Sequence, residues 1–305
     1  MPWAVAGVAG RLTGPWDVEF VEGDAGMLAE AAAHVPPTQI HWWAQHATLP
    51  DGSAYRCWTD LFEFLVSPDA RRIQARALNL DYHEALLAYL LVDALSFSMV
   101  RLGWEPLHAT AVCTERGVAA FMGESGEGKS TMGALFVHGG ARLVTDDMLV
   151  LNQVRGRFVA EPGPPRIKLY RDIAVRIFGS ARQGVAMNPV TEKLIIRLEE
   201  HEMAAAASPL RALYLIGDTA PGGLGNRPVI HRLSPSAALP RILASTAAHY
   251  PSEPDRLRRQ FDFVTRLVQQ VPVMTLTYGR NEHEMAGVRD AVITHLGQLP
   301  EQVEW

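Results

Sequence analysis

The run Gly123-Glu124-Ser125-Gly126-Glu127-Gly128-Lys129-Ser130 has the residue types and spacing that hold phosphate. It fits Gly-x-x-x-x-Gly-Lys-Ser, with an apolar strand pattern before it and a helical pattern after it. Glycines at 123, 126 and 128 allow a backbone path that turns successive N–H groups inward. Those donors, with the positive end of the following helix, can hold phosphate oxygens. Lys129 adds a point charge for the β- and γ-phosphates, and the Ser130 hydroxyl is placed to ligate Mg²⁺. Ser125 and Thr131 complete the nucleotide-contacting set. A glycine-rich turn without a ligand is the competing reading, and the two flanks weigh against it. Glu124 and Glu127 are unusual company for phosphate and are expected to point outward.

Three further features could join this chemistry. Asp146-Asp147 closes the next strand-like segment, where an acid can hold Mg²⁺ directly or through water. Two adjacent acids can divide the work, one holding metal and the other accepting the proton of an attacking hydroxyl. Taken alone, such a pair would read as a solvated strand end or a helix cap. His108 opens the strand ahead of the loop, and a lone histidine is more often structural than catalytic. Arg166, Lys168 and Lys193 form a basic set, and phosphoryl transfer needs cations around the moving group. Ordinary solvated charge explains such a set nearly as well.

The elements that must position these residues follow from periodicity. Ala109–Cys113 and Val118–Met122 read as strands around the turn Glu115-Arg116-Gly117, with a helix from Lys129 to about Val137 and a strand over Arg142–Thr145. Met148–Leu151 and Arg157–Ala160 read as a hairpin around Arg155-Gly156. Strands are expected at Arg166–Leu169, Lys193–Leu198, Arg211–Ile216 and Pro272–Tyr278, and helices at Pro235–Ala247, Pro254–Gln270 and Glu282–Leu296. Gly217–Pro228, crowded with glycine and proline, reads as a loop. Residues 1 to about 105 look like a separate unit. It holds Trp3, Trp16, Trp42, Trp43 and Trp58, a short strand at Val18–Val21, a strand or helix start over Thr59–Val66, and a helix over Tyr82–Leu102 ended by Gly103.

Composition bounds the class. The 305 residues are 48% hydrophobic and 20% charged, a globular balance with room for one large or two ordinary domains. A formal net charge of −5 gives no global pull on nucleic acid or anionic membrane. Cys57 and Cys113 suit neither a metal pair nor a disulfide framework and point to a reducing cytoplasm. Met1–Trp16 lacks the pattern of a signal peptide. The most apolar stretch, Ala85–Val100, carries Asp93 and reads as a buried core helix rather than a membrane span.

His108-Ala109-Thr110-Ala111-Val112, the loop through Thr131, and Leu143-Val144-Thr145-Asp146-Asp147 together resemble the catalytic core of HPr kinase/phosphorylase and its relatives. In that family a histidine opens the strand ahead of a Gly-x-Ser-Gly-x-Gly-Lys-Ser loop, and a Val-x-Asp-Asp segment follows. The resemblance covers residues 106–152 best and 153 to about 290 more weakly. It implies transfer of the γ-phosphoryl group of ATP, with Mg²⁺, to a serine hydroxyl. Carried over by position, Asp146 becomes the general base, Asp147 the Mg²⁺ partner beside Ser130, and His108 a neighbour of the phosphates or the base. The fold implied is α/β and of the type shared with phosphoenolpyruvate carboxykinases: a mixed, bent sheet with flanking helices and the loop at a strand end. That core would span 106–305, with a smaller α+β unit over 1–105 serving acceptor binding or assembly.

The chain departs from HPr kinase proper. The later segment rich in Arg, Gly, Glu, Ala and Asn has no convincing copy here, and the tryptophan-rich N-terminal unit differs. Its layout, with Gly103-Trp104-Glu105-Pro106-Leu107-His108-Ala109 ahead of the loop, is closer to the HPr-kinase-like proteins of ribosomal peptide pathways. Some of these, in lasso peptide clusters, phosphorylate a serine of the precursor peptide. The resemblance thus implies a peptide or small-protein acceptor and a tendency to homo-oligomerise, while the charge balance and the short apolar stretch predict no nucleic-acid partner and no membrane insertion. Two other classes stay open: a small-molecule hydroxyl kinase, and a nucleotide-binding regulator without transfer chemistry. A carboxykinase is disfavoured because that enzyme's Mn²⁺-binding residues are not identifiable.

Overall fold

The computed structural model describes residues 18–36, 42–180, 182–217, 228–245, 253–279 and 282–300. Trp3, Trp16 and most of the Gly217–Pro228 segment lie outside these residues. The chain divides into two compact units. One runs to Trp104 and takes in Val185–Lys193; the other comprises Glu105–Gly184 and the chain from Leu194 on.

The first unit opens with strand β1 (Glu19–Glu22) and helix α1 (Ala25–Ala33), whose N-terminus is capped by the Asp24 carboxylate accepting from the Met27 N–H at 2.9 Å. Strands β2 (Ala44–Thr48), β3 (Ala54–Trp58), β4 (Phe62–Val66) and β5 (Arg72–Ala77) follow. The sheet order is β1-β5-β4-β3-β2, antiparallel apart from the β1–β5 pair. The Thr59–Val66 stretch therefore resolves as strand, from Phe62. Every residue of β3 and β4 is buried, ionisable ones included. Those polar groups are paired: the Tyr55 hydroxyl donates to Glu63 Oε2 at 2.6 Å, and Arg76 Nε lies 3.1 Å from Glu63 Oε1.

The long apolar helix consists of α2 (His83–Tyr89), a π-helical turn over Leu90–Ala94, and α3 (Leu95–Arg101). Asp93 lies in the π turn, and its Oδ2 accepts from Arg56 Nη1 at 2.6 Å. This pair gives a core helix reason to carry a charge. Among the described residues, Leu80–Arg101 is the one helix long and apolar enough to cross a membrane, but 61% of its most apolar window is buried within the protein. Gly103, at φ 96°, ends it in the left-handed conformation that a side chain disfavours.

The second unit continues with β6 (Leu107–Thr114), β7 (Gly117–Met122), α4 (Lys129–His138) and β8 (Arg142–Thr145). Then come β9 (Met148–Leu149), β10 (Leu151–Val154), β11 (Arg157–Ala160), β12 (Arg166–Tyr170) and α5 (Arg171–Phe178). Strand β13 (Val185–Asn188) and the opening of β14 (Thr191–Arg197) belong to the first unit. The chain closes with β15 (Ser208–Ile216), β16 (Val229–Arg232), α6 (Pro235–Ser245), α7 (Pro254–Gln270), β17 (Val273–Thr277) and α8 (Glu282–Gln298).

Nine of the described strands form one mixed sheet. Its main path is β10-β11-β15-β7-β6-β8, with β17 against β15, β16 against β17 and β9 against β6. Strands β7, β15 and β17 run parallel, while β6 is antiparallel to β7 and β8. Alternation sends Val112, Ala119 and Phe121 to one face, where Met132 and Phe136 of α4 and Val288, Val292 and Leu296 of α8 cover them. Leu107, Ala109, Ala111, Val118, Ala120 and Met122 face the other side, under Ala238 and Ile242 of α6 and Val264 and Leu267 of α7. Helices on both faces explain why β6 and β7 read as near-continuous apolar runs.

The hairpin at 151–160 differs by a few residues from its sequence pattern. Leu151–Val154, rather than Met148–Leu151, pairs with β11, while Met148–Leu149 pairs with Leu107–His108 of β6. The turn fixes the register, because Arg155 (φ 50°) and Gly156 (φ 77°) make a two-residue loop with both φ positive.

A buried ion pair supports the α7 side of this unit. Arg256 Nη2 lies 3.4 Å from Glu105 Oε2, and the two side chains are 8% and 3% exposed. Burial raises the Glu105 carboxyl above its ordinary range, against the pull of Arg256. Arg256→Ala leaves that carboxylate buried with only the weaker pull of Arg259 on the same helix, so urea unfolding should show a loss of up to about 3–5 kcal/mol. An unchanged midpoint would mean that the pair contributes nothing.

Candidate active site

The loop between β7 and α4 is shaped by what its glycines touch. A Cβ on Gly123 would stand 2.5 Å from the Ile216 carbonyl oxygen at the end of β15. Gly128, the N-cap of α4, adopts φ 96°, and a Cβ there would meet the Tyr278 hydroxyl at 3.0 Å. Gly123→Ala should push the loop off β15. Thermal unfolding should register a cost of about 1–3 kcal/mol, and nucleotide titration should show weaker binding; wild-type values in both would contradict this packing.

Lys129 is 6% exposed, and its ammonium donates to the carbonyls of Gly123 at 2.8 Å and Glu124 at 2.9 Å. The cation is thereby held over the loop that the helix N-terminus faces. Ser125 and Gly126 are exposed on the loop, and Thr131 lies in the first turn of α4. Glu124 is exposed, as expected from sequence. Glu127 is not: it is half-buried, with its carboxylate over the end of β15, 3.7 Å from where a Gly217 Cβ would lie. The reason is the close passage of the loop across that strand end.

At the end of β8 the two acids part. Asp146 turns inward, 6% exposed, and Oδ1 accepts from the Ser130 hydroxyl at 2.8 Å and from the Thr110 hydroxyl at 2.6 Å. Its Oδ2 accepts from the Lys168 backbone N–H at 2.9 Å. Asp147, at φ 73°, turns the other way and is ion-paired with the Lys168 ammonium. The Asp147 carbonyl accepts from the Ala109 N–H at 3.3 Å and from His108 Nδ1 at 3.0 Å. A carbonyl can only accept, so this bond fixes the His108 tautomer with its proton on Nδ1. The residue carried over to the metal by position was Asp147; the acid that meets Ser130 is Asp146.

Burial, reinforced by the neighbouring Asp147 charge, pushes the Asp146 carboxyl up to about 6, while its bonds from Thr110 and Lys168 oppose the rise. Burial likewise holds His108 below the ordinary histidine range, against the Asp147 carboxylate.

Strand alternation puts Arg166 and Lys168 on one side of β12. Lys193, at the opening of β14, falls in the first unit. Thr110 is the site residue that sequence reasoning passed over. Its one signal was a hydroxyl within the otherwise apolar run Ala109–Cys113.

Ser130 and Asp146 offer hard oxygen ligands, which suit Mg²⁺, next to a helix N-terminus that suits phosphate. Among the described residues no group of three or more His, Cys, Asp or Glu forms a metal cluster. A Mg²⁺ held by one or two protein oxygens together with substrate phosphates needs none.

No family model matches the chain, and neither does any curated protein. Among solved structures the chain is similar to the HPr(Ser) kinase/phosphatase from Coxiella burnetii, at 11% identity and a TM-score of 0.35, over 64% of this chain and 97% of that one. This is a distant structural neighbour, and no family membership follows from it.

Proposed function

We propose that this chain is an ATP- and Mg²⁺-dependent phosphotransferase acting on a serine hydroxyl of a peptide or small protein, such as the precursor of a ribosomal or lasso peptide. The observation that carries the reading is the 2.8 Å hydrogen bond from Ser130 to Asp146, which joins the glycine loop to the acid at the end of β8. Bound ATP would supply the phosphoryl group, and Mg²⁺ would offset its charge. The loop N–H groups and the start of α4 bind phosphate, with Lys129 adding a full positive charge. Ser130 and Asp146 take the metal side, where the resemblance by position put Asp147 beside Ser130.

Asp147 then takes the proton of the acceptor hydroxyl. Its side chain is 17% exposed, so an acceptor can reach it. Its carboxylate is paired with the Lys168 ammonium. His108 and the Ala109 N–H hold its carbonyl and so maintain the left-handed turn that aims it. Arg166 adds positive charge alongside Lys168. The first unit, with Lys193, and residues 218–227 are the proposed grip on the acceptor. Free thiols at Cys57 and Cys113 suit a reducing cytoplasm, and a homo-oligomer is the proposed assembly.

Mass spectrometry after incubation with ATP, Mg²⁺ and serine-bearing peptides, HPr or free serine tests the reading. A gain of one phosphate on a peptide serine, absent with Lys129→Ala, supports it. Transfer to free serine alone would favour a small-molecule kinase. ATP binding with no transfer to any acceptor would favour a regulator.

A further inference from the structure

Thr110 is buried in the middle of β6, and its hydroxyl donates to the same Asp146 oxygen that receives Ser130. The other Asp146 oxygen is taken by the Lys168 N–H. With donors from β6, α4 and β12, this carboxylate has one orientation available. The Thr110 bond at 2.6 Å is the shortest of the three and comes from a side chain immobilised by packing. Gly133 makes that packing possible: a Cβ there would lie 2.6 Å from Thr110 Cγ2, so the glycine lets α4 approach the threonine methyl. A hydroxyl buried between sheet and helix costs free energy unless it is bonded. Its bond here goes to the acid that shares Ser130.

We propose that Thr110 is a positioning residue that aims Asp146 Oδ1 at the metal side of Ser130, and so sets how strongly Mg²⁺ tightens nucleotide binding. The inference rests on the phosphotransferase reading of the site. Thr110 is fully buried in β6 and acts through Asp146. Its contribution therefore shows in the response to metal and not in nucleotide affinity without metal. Loss of a partner that orients a metal ligand weakens metal affinity by about 10–100-fold.

Calorimetric titration of ATP into full-length protein, once with Mg²⁺ and once with EDTA, gives the test. Wild type should bind ATP more tightly with Mg²⁺. Thr110→Val, nearly the same shape, should match wild type in EDTA and lose most of the Mg²⁺ gain. Thr110→Ser and Thr110→Ala both lack the methyl and differ by the hydroxyl, so they isolate its effect even if Thr110→Val is poorly folded. Thr110→Ser should restore the gain, and Thr110→Ala should not. Equal gains in Thr110→Ser and Thr110→Ala, with a normal gain in wild type, overturn the role of Thr110 and leave the site reading standing. A wild-type protein that binds no ATP, or gains nothing from Mg²⁺, overturns both.

Discussion

Lys129→Ala is expected to lose nearly all ATP binding and every measurable trace of phosphoryl transfer. Two effects act together. The substitution removes the one full positive charge that the loop itself contributes, within a site where a single donor to developing charge is worth about 10²–10³ in rate. It also deletes the bonds from the ammonium to the Gly123 and Glu124 carbonyls, which tie the loop back over the start of α4. Lys129→Arg should rescue poorly, because a planar guanidinium cannot replace an ammonium that is 6% exposed between two carbonyls. Turnover near wild type in Lys129→Ala, followed by release of labelled phosphate or by peptide mass, would remove the loop from the mechanism.

Asp146→Asn and Asp147→Asn should fail in different ways, and the difference separates the two acids. Asp146→Asn should still bind ATP in EDTA but lose the strengthening by Mg²⁺, because the carboxylate beside Ser130 has gone. Its turnover should fall by about 10²-fold or more and should not recover with added metal. Asp147→Asn should keep the Mg²⁺ response and lose transfer, by about 10²–10⁴-fold for a lost general base. The opposite pattern would return Asp147 to the metal and Asp146 to the proton.

Acid pH should mimic the first substitution. Protonation of Asp146 removes its charge and competes with Mg²⁺, so the tightening of ATP binding by Mg²⁺ should weaken as pH falls. Stability carries the opposite sign. The folded state binds this proton more tightly than the unfolded chain, so the stabilising contribution is present below the ordinary carboxylate range and is lost as pH rises through about 6. The site thus keeps a buried carboxylate ionised at neutral pH at some expense to folding.

Local chemistry was the most legible part of this chain. The glycine loop with strand before and helix after, the C′ glycine at 103 and the helix Pro254–Gln270, with its proline at the first position, all follow from rules acting within a few residues. The first unit was much harder to read. In β3 and β4, Tyr55, Arg56 and Glu63 interrupt any apolar alternation, yet all three are buried. Their partners are distant in sequence or across the sheet: Asp93 for Arg56, and Glu63 for Tyr55. A pattern of hydrophobic residues cannot report an ion pair that forms only after folding.

The same limit acts within the site. Sequence places Asp146 and Asp147 together, but which one meets Ser130 depends on the left-handed turn at Asp147, a three-dimensional outcome that its neighbours Ala109 and His108 support. Thr110 looked like another member of a buried strand. Only the approach of β8 to β6 shows where its hydroxyl goes. Lys193 was grouped with Arg166 and Lys168 by charge type, and it falls in the first unit, at the opening of β14.

The central claim is that the loop Gly123–Ser130 and Asp146 hold the phosphates of a magnesium nucleotide. The most direct test is calorimetric titration of the wild-type chain with ATP in the presence of Mg²⁺, repeated with adenosine. The account predicts saturable binding of one ATP per chain, tightened by Mg²⁺ and nearly absent for adenosine, since the phosphates carry the recognition. No binding of ATP, or equal binding of adenosine and ATP, would contradict it.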